Sequence, residues 1–131
     1  MVISSRKLAV GLLLLLVSSA TVASESETPN PDWLIGSWVL CDDPDNSPKD
    51  TLHFNADGTG LVIRAKGNIE FLHKHSGQAV SLLANVNGYA IPIELSSSPS
   101  FDKLLLHSDK TGNTATYVRS DSPQASSCSI K

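Results

Sequence analysis

The sequence contains no nucleophile elbow, no phosphate-binding loop, no dinucleotide fingerprint and no H-E-x-x-H pair, and each absence removes a class of chemistry that depends on such a constellation. Neither an enzyme nor a cofactor is therefore expected. Basic residues are outnumbered, with 10 Lys and Arg against 13 Asp and Glu, which argues against a nucleic acid or an anionic membrane surface as partner. Cysteine occurs only twice and never as C-x-x-C, the close spacing that redox and zinc sites use. No N-x-S/T sequon is present, which permits a bacterial origin without requiring one. Only one apolar run is long, and no stretch beyond it shows a sustained helical repeat.

That run lies near the N-terminus. Arg6 and Lys7 precede it, Leu8 to Val17 form its core, and Thr21-Val22-Ala23-Ser24 supplies small residues for cleavage. A bilayer span needs about 20 apolar residues, so residues 1–24 read as a cleavable secretory signal rather than a retained anchor. No cysteine stands near the cleavage point to carry a lipid. Residues 25–32, polar with two prolines, read as a flexible leader, and residues 33–131 as one domain. Loss of the signal leaves 8 basic against 13 acidic side chains, a balance of −5. The expected location is periplasmic or secreted, with no membrane association once the signal is gone.

Export gives the cysteines a meaning. In an oxidising compartment an even count reads as a disulfide, here Cys41 to Cys128, 87 positions apart. On the chain-entropy model such a loop is worth about 4 kcal/mol.

Turn signals recur about every ten residues: Asp57-Gly58, Lys66-Gly67-Asn68, Ser76-Gly77, Asn87-Gly88, Ser96 to Ser100, and Lys110-Thr111-Gly112. That beat is produced by a meander of short antiparallel strands. Eight strands are expected, over 34–41, 51–55, 60–65, 68–75, 78–86, 89–95, 103–108 and 113–120. Period-two alternation assigns an inner face to Leu52 and Phe54, Leu61 and Ile63, Ile69 and Phe71, Val80 to Val86, Tyr89 to Leu95, and Leu104 and Leu106. The fold class is thus all-β, a small antiparallel up-and-down barrel of eight strands with one disulfide, whose closure removes exposed edges. Pro92 cannot donate to a ladder, so an opening or kink is expected at the sixth strand.

Leu34-Ile35-Gly36-Ser37-Trp38, followed by the hairpin of Phe54, Asp57 and Gly58, resembles the opening of lipocalin-like proteins, whose hallmark is Gly-x-Trp at this place. The resemblance implies that an Arg on the last strand lies across the Trp at the closed end of the barrel. Arg119 stands where that residue is required, so Gly36, Trp38 and Arg119 form the implied barrel-closing motif. Typical lipocalins are longer, and strands of five to eight residues enclose an interior that side chains largely fill. Avidin-like barrels share the opening, but their biotin pocket is lined by several tryptophans and this chain has only Trp33 and Trp38.

Several residues invite sharper readings. His73 and His75 share one face of the fourth strand and, with His53 or His107, form a weak candidate for a divalent metal; the plainer reading is a strand end reaching water. Asp42-Asp43-Pro44-Asp45-Asn46 is rich in oxygen ligands but fails the calcium-loop pattern, since Pro48 and Phe54 stand where Gly and Glu are needed. Trp33 is either an exposed anchor or a plug for the barrel end. The expectation is a non-enzymatic binding protein of inhibitor or immunity type. Its partner surface would comprise Trp33, Asp42, Asp43 and Asp45 on loops at one end. A carrier of a small hydrophobic ligand and a metal-binding accessory protein are the alternatives.

Overall fold

A computed structural model describes residues 31–128; the expected signal and all of the leader except Pro31 and Asp32 lie outside them. Eight strands follow one another: β1 (Gly36–Asp42), β2 (Asp50–Phe54), β3 (Thr59–Arg64), β4 (Ile69–Ser76), β5 (Ala79–Val86), β6 (Tyr89–Ser97), β7 (Lys103–His107) and β8 (Thr114–Arg119). Each pairs antiparallel with the next, and β1 pairs with β8 to close the barrel. The expected eight-strand count and closure are both present. The tail adds a short 3-10 helix, Pro123–Ser127, that packs on β8.

Why these segments pair is legible in their turns. Asn87 and Gly88 both take positive φ, 55° and 86°, as a two-residue type I′ hairpin requires, and the ladder runs from Val86↔Tyr89 to Ala79↔Ser96. Inward positions from all eight strands and the turn before β1 build one core that includes Leu34, Trp38, Phe54, Phe71, Leu104 and Tyr117.

The third strand departs from expectation. Gly60 and Val62 face the core, whereas Leu61 is half-buried on the outside and Ile63 is 41% exposed. The reason is steric. Gly60 sits across from both Phe54 and Phe71, whose rings pack edge-on at 5.3 Å, and a Cβ at Gly60 would overlap the Phe71 ring and the His53 carbonyl. Only glycine lets the two rings meet. With apolar residues on both parities of this strand, alternation alone does not choose the face.

The expected opening at β6 is also absent, for a reason found in the ladder. Ser97 donates its N–H to Gln78 O, so by antiparallel alternation Pro92 turns its missing donor to the opposite edge. There β7 meets β6 only at Ser96 and Ser97. Pro92 thus interrupts no β5–β6 bond, and the barrel closes around it.

The disulfide is formed, with Cα atoms 4.7 Å apart. Its placement depends on a bulge in β1. Leu40 faces Tyr117 and Asp42 faces Thr116, which leaves Cys41 as the extra residue between them. From β8 the tail turns back through the 3-10 helix to Cys128. Val118 points outward by parity yet is 2% exposed, and the 3-10 helix packs on the same strand.

Candidate functional site

The barrel end where β1 begins is shut by a network around Trp38, which is fully buried. Its indole Nε1 donates to Leu34 O at 2.9 Å. The Arg119 guanidinium lies over the indole, 5.3 Å from the ring centroid, and donates from Nη1 to Trp33 O at 2.9 Å and from Nη2 to Ile35 O at 3.1 Å. Gly36, at φ 120°, makes room: a Cβ there would stand 2.7 Å from Arg119 Nη2. The three residues singled out by the resemblance thus converge. Two carbonyls left over by the incoming chain are satisfied by one planar fork.

Trp33 belongs to the same network. It meets Trp38 edge-on at 6.1 Å, His75 at 5.5 Å and Phe101 at 5.0 Å. Half-buried among three rings, it plugs the barrel end rather than projecting as an anchor. His73 is held differently, its Nε2 donating to Asn55 O at 2.9 Å between Phe54 and Phe71. His53 is bonded to Ser37 Oγ and His107 to Thr114 Oγ1. Among the described residues no group of three His, Cys, Asp or Glu could hold a metal, so the histidine candidate loses its geometric basis: the four imidazoles go to separate partners.

At the opposite end the acidic residues work as loop staples. Asp43 is buried and accepts the backbone N–H groups of Asp45 and Ser47 at 3.0 and 2.8 Å; burial pushes its pKa up, but those donors outweigh burial and hold it below the usual carboxylate range. Asp45 accepts from Thr111 Oγ1 and Asn113 Nδ2 at 2.8 and 2.7 Å, tying the β1–β2 loop to the β7–β8 turn. Asp42 closes β1 at its exposed end.

The residues expected to form one partner surface therefore lie at opposite ends of the barrel. In an up-and-down barrel successive connections alternate between ends, so the β1–β2 loop carrying Asp42, Asp43 and Asp45 cannot share an end with Trp33 and the β6–β7 loop.

Two concavities stand out among the described residues. A pocket of about 260 Å³ sits beside the acidic loop, between Leu40, Leu106 and Ala115, with Asp50 and Tyr117 bonded at 2.8 Å in its wall. Burial raises the Asp50 pKa and the neighbouring Asp43 charge adds to this, against the opposing Tyr117 bond. Burial, then the Asp50 charge, pushes the Tyr117 phenol well above its ordinary value. The second concavity, about 650 Å³, is a groove on the outer face of β3 to β6, lined by Leu61, Glu70, Leu72, Leu83, Asn85 and Ala90 among others.

Sequence reasoning missed both. The Asp50–Tyr117 pair spans 67 positions and has no local signature. The groove depends on Leu61 facing outward, which follows from the inverted third strand. Comparison of the chain with protein-family models, with curated proteins and with solved structures returns no match.

Proposed function

We propose that the protein is an exported, non-enzymatic binding protein of lipocalin-like build that engages and inhibits a protein partner in the periplasm or secreted space. The observation that carries this reading is where the apolar surface lies. Side chains from every strand fill the interior as one buried cluster, whereas Leu72 and Leu83 stand 57% and 45% exposed on the outer face. A cross-strand pair of exposed leucines is what a contact surface presents and what an internal carrier does not need. The Gly36–Trp38–Arg119 network supports the lipocalin-like assignment, and the Cys41–Cys128 bond supports an oxidising compartment.

Co-purification of the secreted, disulfide-bonded protein from its native compartment tests the reading. The expected result is a stoichiometric protein partner whose activity falls on binding. Protein that carries a lipid and no partner overturns it.

One observation favours the carrier alternative. Tyr89 and Ile91 occupy inner-face positions of β6 but are 71% and 42% exposed, so apolar side chains stand uncovered along the inner face of the β5–β6 hairpin. Native mass spectrometry of the freshly purified protein distinguishes the two, since a carrier shows added mass.

A further inference from the structure

We infer that the outer groove of β3 to β6 docks a segment of the protein partner that places an Arg or Lys beside an apolar side chain. The inference rests on the protein-binding reading above and assigns it a surface. The register sets a continuous row across the sheet: Thr59 pairs with Leu72, Leu72 with Leu83, and Leu83 with Pro92. All four lie on the outer face. Leu61, turned outward with β3, adds to the floor beside its cross-strand neighbour Glu70.

Glu70 commits the occupant. It is exposed, it is the one ionisable side chain lining the groove, and no described residue gives it a hydrogen bond or ion pair. Arg64, on the neighbouring strand, is turned to its own loop, with Nε donating to Gly67 O at 2.8 Å. The other polar lining groups are engaged locally. Asn85 Oδ1 accepts from Gly88 N and Asn55 Nδ2 donates to Thr59 Oγ1. An unpaired carboxylate over an apolar floor matches a guanidinium or ammonium on an aliphatic stem, which can lie along the leucines while its head meets the acid. The acidic balance of the chain adds long-range attraction of the same sign.

The test is selection of a random heptapeptide library displayed on phage against the secreted, disulfide-bonded protein. Binding of the selected peptides is then compared on variants whose fold is checked by near-ultraviolet circular dichroism. Enriched peptides are expected to pair Arg or Lys with Leu, Ile, Phe or Trp. Their affinity should fall at least roughly tenfold on E70K, several-fold on E70Q and L83S, and weaken with salt, while D109N, at an exposed position outside the groove, leaves it unchanged. Peptides without a basic bias, affinity indifferent to E70K, the absence of any enriched peptide, or a dimer in sedimentation that L83S dissolves would each overturn the assignment. Peptides that map to the Asp43–Asp50 end instead would remove the groove but leave the protein-binding reading standing. A bound lipid together with no enriched peptide would remove both.

Discussion

Arg119 closes the barrel through geometry as much as charge. Its two terminal nitrogens reach two different carbonyls while the plane of the group covers Trp38. Lysine cannot reproduce that fork, so R119K and R119A are both expected to destabilise, by about 2–3 kcal/mol for the lost charged bonds and about 1 kcal/mol for the indole contact. Urea unfolding of the disulfide-bonded protein measures this. Tyr117 makes a second residue-scale prediction. Because burial raises its pKa, the folded state keeps the phenolic proton; the associated stability is complete below the unfolded value of about 10 and is lost as pH rises through the folded one. Y117F should remove that alkaline loss. At neutral pH the same variant leaves Asp50 short of a donor, at an expected penalty of about 1–3 kcal/mol. Asp50, also raised, is most favourable to folding below about pH 4 and least so above its folded pKa. The Y117F penalty should therefore shrink on acidification, and a penalty independent of pH would sever the link to Asp50.

At the scale of elements, β3 shows why a pattern is not a register. Its sequence Thr-Gly-Leu-Val-Ile-Arg offers apolar side chains to either face, and the choice falls to two rings on neighbouring strands that need a glycine between them. G60A should consequently destabilise by about 1–3 kcal/mol or more through overpacking, while F71L, which withdraws the ring from that position, should lessen the G60A effect in a double-mutant cycle. The bulge at Cys41 and the returning tail are similarly joint features. A loop of 87 residues corresponds to about 4–5 kcal/mol on the chain-entropy model, although 2–4 is the usual yield. Reduction, or C41S with C128S, should then lower Tm by roughly 10–25 °C for a domain of this size. Strand number, the Asn87-Gly88 turn and most inner faces were legible because each depends on neighbours in sequence. The 3-10 helix was not, being five residues without apolar periodicity.

For the molecule as a whole, acid stability follows from how its carboxylates are employed. Hydrogen bonds from Ser100 and Ser98 hold Asp102 well below the usual range, and its bond from Gln124 ties the β6–β7 loop to the 3-10 helix. Thr59 lowers Asp57 in the same sense, as backbone donors do for Asp43. Groups lowered in this way stabilise above their unfolded pKa near 4, and that contribution disappears as pH falls through their folded values. Among the described residues three lowered carboxylates oppose one raised, Asp50, so thermal stability should fall below about pH 4, and D102N should flatten part of that fall. Tm recorded across pH 2 to 7 checks both.

Sequence alone determined the all-β class, the strand count and the two cysteines available to pair, because these rest on composition, spacing and turn chemistry that act locally; export is an expectation from the N-terminal run and lies outside the described residues. The sequence also pointed to Gly36, Trp38 and Arg119, since a motif and a terminal Arg are visible one residue at a time. Tertiary structure decided what local pattern cannot: that β3 turns Leu61 and Ile63 outward, that Trp33 and the acidic loop occupy opposite ends, and that Asp50 meets Tyr117. Each is a relation between residues far apart in the chain, and register and closure, not propensity, bring them together. The surface proposed for the partner comes from the first of these, a glycine yielding its place to a ring.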